Sequence, residues 1–172
     1  ETGTAQLEIN FPHGDPIELS DQMFLFKRTV RETAMRHEIY ATFMAKPMEH
    51  EPGSSMHWHI SLRRASDGGN AFSNPDGSES ELFRQFIGGI QKYGPDATLL
   101  SAPYVNSYRR FTRHLSAPIN LQWGYDNRTV GLRVPHSDAD NRRIENRLAG
   151  ADVNPYLAIA ASLACGLLGL EE

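Results

Sequence analysis

The 172-residue chain contains one cysteine, Cys165, and only three lysines among its 17 basic residues. A single cysteine excludes an internal disulfide framework and fits a reducing compartment; its place in an apolar run reads as a small core residue. No charged segment followed by an apolar h-region opens the chain, so no secretory leader is in view. The longest apolar stretch, Leu157 to Leu170, is too short and too rich in Ala and Gly to span a bilayer. Broad positive charge is missing as well: the formal net charge is -4 and the pI about 6.0, which does not fit a nucleic-acid binder. These absences lead to the expectation of a cytoplasmic protein with neither membrane nor nucleic acid as partner. The chain opens on Glu1 within patterned sequence, as a piece of a longer protein would.

What is present is arginine, 14 of it. The stretch 125–147, YDNRTVGLRVPHSDADNRRIENR, places Arg128, Arg133, Arg142, Arg143 and Arg147 around Glu145. A guanidinium offers five donors in a rigid fork that meets carboxylate or phosphate oxygens two at a time. Guanidinium focused in an acidic chain points to a pocket for a small anion.

At 40% hydrophobic and 22% charged, the chain can bury one substantial core. Ser20-Asp21 followed by Met23, Phe26, Val30 and Ala34 predicts a helix to about His37. Ile39 to Ala45 and Met56 to Leu62 read as strands, and residues 63–80 as a turn-rich excursion. Leu82, Phe83, Phe86, Ile87 and Ile90 predict a second helix, with a short one after Pro95. Pro103 to Pro118 reads as a long, Arg-studded loop of the kind that carries function. Short strands follow at 119–125, 129–134 and 143–148, then a helix from Asn154-Pro155 to about Gly169. The mixture lacks regular βαβ alternation, so the expected class is α+β with an antiparallel or mixed sheet carrying the site.

Period-2 geometry puts His57, His59 and Ser61 on one strand face, and Arg143, Glu145 and Arg147 on another. Either set is also what an ordinary half-exposed strand looks like. The apolar flanks of Arg133, Leu132 and Val134, add weight to a shared polar face. Glu1 and Glu8 point to opposite sides of a straight strand, and Gly3 is where a bend would bring them together. Glu1, Glu8, Glu145 and His57 form a coherent ligand set for Mg²⁺ or Mn²⁺.

In order along the chain, Glu1-x(6)-Glu8, Pro52-Gly-Ser-Ser-Met-His-Trp-His59, Asn106-Ser-Tyr-Arg-Arg110, Asn127-Arg-Thr-Val-Gly-Leu-Arg-Val-Pro135, Arg143-Ile-Glu-Asn-Arg147 and Asn154-Pro-Tyr-Leu157 resemble the signature blocks of the glutamine synthetase catalytic domain. That resemblance implies a curved, mostly antiparallel sheet with flanking helices. It also implies that residues 1–172 are part of such a domain, without the family's N-terminal β-grasp domain, and inactive alone.

The implied reaction is ATP-dependent γ-glutamyl amide formation from glutamate and ammonia or an amine, through γ-glutamyl phosphate. Two or more Mg²⁺ or Mn²⁺ sites are implied: Glu1 and Glu8 match ligands of a first ion, His57 and Glu145 of a second. Gly53, His57, Arg110 and Arg147 match the glutamate site. His59, Ser61, Arg128, Arg133 and Arg143 match the ATP site, and Arg128 and Arg147 match residues acting in catalysis. Ser116 stands where ammonia-using members carry Glu, so the chain resembles the γ-glutamylpolyamine ligase branch, with a polyamine such as putrescine as acceptor. A dodecameric homo-oligomer is implied for a full-length member. Two other readings stay open: a non-catalytic structural or sensory member, and a phosphotransferase acting on another small carboxylate or guanidino substrate.

Overall fold

The computed structural model describes residues 2–112 and 117–171. Helix α1, Pro16–Arg36, begins earlier than the Ser20-Asp21 start predicted from spacing. The Asp15 carboxylate accepts hydrogen bonds from the Ile17 and Glu18 N–H groups, and Pro16 supplies a first-turn φ already suited to a helix. The predicted strand at 39–45 does not form. The segment has no regular structure, no described strand pairs with it, and Tyr40 stands 97% exposed. β-branched and aromatic residues favour a strand only where a neighbour completes the ladder.

The sheet is built from three-residue strands: β1 Trp58–Ile60, β2 Trp123–Tyr125, β3 Leu132–Val134 and β4 Ile144–Asn146, in the order β1-β4-β3-β2. The β1–β4 and β3–β4 pairings are antiparallel, and β2 joins β3 in parallel. Together with the flanking helices this is an α+β architecture with a mixed, predominantly antiparallel sheet. Among the described residues, no helix is long and apolar enough to cross a membrane.

Register assigns the two faces their roles. His59 pairs with Glu145, and Glu145 with Arg133, so these three side chains form one rung on one side of the sheet. Their neighbours Ile60, Ile144, Leu132 and Val134 turn to the other side and are buried. There they meet Phe72, Phe83, Phe86, Ile87, Ile90 and Cys165.

Helix α2, Glu81–Tyr93, is capped by the Ser80 hydroxyl, which accepts from Phe83 N–H. Helix α5, Pro155–Leu168, is capped by Asn154 as its sequence predicts. The two helices pack closely through glycine: a Cβ on Gly89 would lie 2.3 Å from the Cys165 carbonyl oxygen. Two short helices, α3 (Thr98–Ser101) and α4 (Val105–Tyr108), interrupt the connection toward β2. Residues 63–80 form the expected excursion, with bridges Arg63–Asn70 and Ser73–Glu79.

Candidate active site

Glu145, 3% exposed, is the hub of the polar rung. Its Oε2 accepts a 2.8 Å hydrogen bond from Arg133 Nη1. Its Oε1 accepts one of 3.0 Å from Arg147 Nη1 and lies 3.2 Å from His57 Nδ1. Burial alone would raise this carboxyl's pKa. The hydrogen bonds from His57 and Arg133, with the charges of His57 and Arg147, outweigh burial and hold it well below the usual carboxylate range. A buried carboxylate with three cationic or imidazole partners is a site organised by charge rather than by packing.

The alternation around β1 is as expected: Met56 and Ile60 are buried, whereas His57, His59 and Ser61 face solvent. Arg143 Nε donates to His59 Nδ1 at 3.3 Å, and Arg143 Nη1 to the Asn141 carbonyl. Partial desolvation, joined by the neighbouring Arg143, His57 and Arg133, lowers the His59 pKa against the attraction of Glu145. The neutral imidazole is the form these neighbours favour, beside two guanidinium groups.

The arginines of the 125–147 stretch do not act alike. Arg133 is bracketed, since its Nη2 donates to Asp126 Oδ1 at 2.8 Å while Nη1 holds Glu145. Those same partners raise its pKa, Glu145 first. Arg128 is exposed at the turn before β3. Arg142 is structural: its guanidinium donates to the carbonyls of Phe72, Gly77 and Ser78 and to the Ser73 hydroxyl, tying the excursion to the strand edge.

Arg110 is turned inward. It is 2% exposed and donates to the carbonyls of Arg147, at 3.4 Å, and Leu148. Burial, then the nearby Asp152 and Arg147, set its pKa, with burial and Arg147 lowering it and Asp152 opposing them. Gly53 touches it directly: a Cβ there would lie 2.5 Å from Arg110 Cγ and 2.6 Å from the Ala45 carbonyl oxygen. The missing side chain at Gly53 thus makes room for Arg110. Asn106 clamps Lys46 by giving to its carbonyl and accepting from its N–H, each at 2.9 Å. The Ser107 hydroxyl donates to Asp152 at 2.6 Å. The Asn106-Ser-Tyr-Arg-Arg110 block is therefore largely a brace behind the polar face.

The four-residue metal-ligand set divides. His57 and Glu145 are adjacent, and an imidazole with a hard carboxylate suits Mn²⁺ or Mg²⁺. Glu1 and Ser116 lie outside the described residues. Glu8 is exposed, and among the described residues no three His, Cys, Asp or Glu side chains gather closely enough to hold a metal ion. Residues 5–14 run without helix or strand, so no ladder aims the Glu8 carboxylate at the rung. The segment is nevertheless anchored near it, because Gln6 Nε2 donates to the Gly53 carbonyl at 3.0 Å and to the Ser54 hydroxyl at 3.2 Å.

Asp126 and His136 also border this face, although neither lies in an alternating strand. Asp126 Oδ1 accepts from Arg133, and Oδ2 lies 3.5 Å from His136 Nε2. Loss of water would raise the Asp126 carboxyl, but the His136 N–H and the Arg133 guanidinium hold it below its usual value. The available signal was an acidic residue immediately after a strand, next to the Asn127-Arg128 turn.

The family profile described as "Glutamine synthetase, catalytic domain" matches residues 1–172. The chain is 45% identical to γ-glutamylputrescine synthetase PuuA of Escherichia coli (strain K12), over all of this chain and 36% of that protein. It is 42% identical to a glutamine synthetase of Pyrococcus furiosus and 41% identical to a glutamate–isopropylamine ligase of Pseudomonas sp., each alignment covering all of this chain and 38% of the relative. The chain thus spans little more than a third of the relatives it matches. With a profile that runs its whole length and a charged rung built from the blocks that suggested the resemblance, the chain belongs to the glutamine synthetase catalytic-domain family.

Proposed function

We propose that this chain forms part of an ATP-dependent ligase that joins the side-chain carboxylate of glutamate to ammonia or an amine. The observation that carries the reading is the Glu145 hub, where Arg133, Arg147 and His57 meet one buried carboxylate on the open side of the sheet. The names of the relatives, all glutamate-amide-forming ligases or glutamine synthetases, support it.

The chemistry brings two anions together, a triphosphate and a carboxylate, so the first demand on the protein is positive charge. Arg133, Arg143 and Arg128 are the residues we assign to the nucleotide phosphates, with His59 and Ser61 lining the nucleotide site. Arg147 and, from behind the face, Arg110 are assigned to the glutamate site, and Arg147 and Arg128 to catalytic charge stabilisation. Gly53 serves by letting Arg110 seat behind the face, and His57 borders the glutamate site. His57 and Glu145 would hold a divalent cation, Mg²⁺ or Mn²⁺, with Glu8 and Glu1 as the ligands assigned to another. Such an ion, when bound, supplies neutralisation of charge on the transferring phosphoryl group.

In the reaction the γ-phosphoryl group passes to a glutamate carboxylate oxygen, leaving ADP and an acyl phosphate. The amine nitrogen then attacks the acyl carbon, inorganic phosphate departs and a proton is lost. The neutral His59 and the fixed guanidinium groups are suited to orienting charge rather than to moving protons. For the acceptor, Ser116 and the similarity to γ-glutamylputrescine synthetase favour an organic amine over ammonia. We further propose that activity needs a polypeptide longer than these 172 residues, assembled as a homo-oligomer and acting in the cytoplasm.

The test is phosphate release and product identification for the full-length protein with ATP, glutamate and, in turn, ammonium, putrescine and isopropylamine. Amide formed with at least one of them is expected. Phosphate transfer without amide, or turnover with none, would overturn the proposal.

A further inference from the structure

We propose that Asp126 is the positioning residue that fixes the orientation of Arg133, and through it the affinity for a nucleotide triphosphate. The inference rests on the reading of Arg133 as a phosphate-facing group.

Arg133 leaves the middle of β3 on the polar side, where its Cα partner Glu145 holds Nη1 at 2.8 Å. One contact leaves a long side chain free to pivot, and Glu145 is shared with Arg147 and His57. Asp126 supplies the second contact, to Nη2, also at 2.8 Å. It can do so because the chain turns sharply after β2. Asp126 has φ of 43°, a left-handed conformation that Asp tolerates better than most residues. In that conformation its N–H donates to the Val134 carbonyl at 3.0 Å, and its carboxylate lies over β3. The His136 N–H steadies the same Oδ1 at 3.4 Å, and His136 Nε2 stands 3.5 Å from Oδ2.

Two carboxylates therefore grip the two ends of one guanidinium. Arg133 Nε is buried, and among the described residues one N–H on each terminal nitrogen has no partner and is left for an anion. Because both ends are fixed, those donors are set before a phosphate arrives, and less ordering is left to the binding step. Nothing about forming a turn requires the carboxylate: Gly or Asn would accept the same φ. That separates a positioning role from a structural one.

The experiment compares Asp126→Gly, Asp126→Asn, Arg133→Gln and the double variant Asp126→Gly/Arg133→Gln in the full-length protein. The readouts are ATP affinity by calorimetry, KM and kcat for ATP and glutamate, and Tm. Loss of a charge-assisted contact predicts ATP affinity weakened about tenfold in Asp126→Gly. The Asn variant, which keeps one acceptor oxygen, should lose about threefold. KM for glutamate should stay within about twofold, Tm within a few degrees, and the Gly substitution should add nothing in the Arg133→Gln background. If Asp126→Gly unfolds the protein, the Asn variant decides the matter by the same measurement. ATP affinity unchanged in both Asp126 variants, with Arg133→Gln weakened, would overturn this inference and leave the proposed function standing. Unchanged affinity in Arg133→Gln would remove the phosphate-facing reading and this inference together.

Discussion

Arg133 and Glu145 face each other across adjacent antiparallel strands, and their side chains close the pair with a 2.8 Å contact between Nη1 and Oε2. The register that makes them partners also places Leu132 and Ile144 in the core, so the charged face and the apolar face are two consequences of one strand alignment.

Removing the hub charge should be costly. Glu145→Gln leaves Arg133 and Arg147 without their common counterion in a buried setting, which typically costs about 3–5 kcal/mol. Urea denaturation should show that loss, and ligase activity of the full-length protein should fall by about 10²-fold or more.

Gly53→Ala should disturb Arg110. The added Cβ meets both Arg110 Cγ and the backbone oxygen of Ala45, and the latter cannot swing away. Overpacking of this kind costs about 1–3 kcal/mol. Thermal denaturation should show the loss, and KM for glutamate should rise more than KM for ATP.

Arg142→Ala should separate the structural arginine from its neighbours. Proteolysis should reach residues 72–79 sooner, because four contacts holding that excursion are gone. ATP affinity should stay within about twofold, a magnitude ordinary for a change away from ligand contacts.

Lys27 makes a pH prediction. It is buried, its Nζ donates to the Val153 carbonyl at 2.9 Å, and desolvation and Arg31 lower its pKa from 10.5 to about 8, with Asp152 opposing. Between those values the unfolded chain binds more protons than the folded one, so this residue adds stability as pH rises from about 8 to 10.5. Below pH 8 the charged amine is a standing penalty. The stability difference between wild type and Lys27→Met should therefore shift in favour of wild type across that window, as urea titrations at several pH values would measure. A constant difference would rule the assignment out.

Much of the site was legible where strand alternation spoke for itself. Across residues 56–62 the exposed positions His57, His59 and Ser61 alternate with buried or half-buried ones, and Arg147 and Arg143 reach Glu145 and His59 of the polar rung. The cap at Asn154 was readable for a local reason as well. What was not readable depends on partners. The 39–45 segment has strand composition without a described neighbour to pair with. Arg110 sits in a loop whose sequence does not reveal that its guanidinium is turned under β4. The Asp126 contact needs a left-handed residue after β2 together with the parallel β2–β3 register, and neither has a signature in residue spacing.

Mn²⁺ binding to the full-length protein, followed by electron paramagnetic resonance, tests most directly whether the Glu145 rung is the ligand face. Wild type should bind Mn²⁺ with imidazole nitrogen in its coordination sphere, and Glu145→Gln and His57→Ala should each lose that population. Mn²⁺ bound with the same stoichiometry, affinity and nitrogen signature in both variants would contradict it.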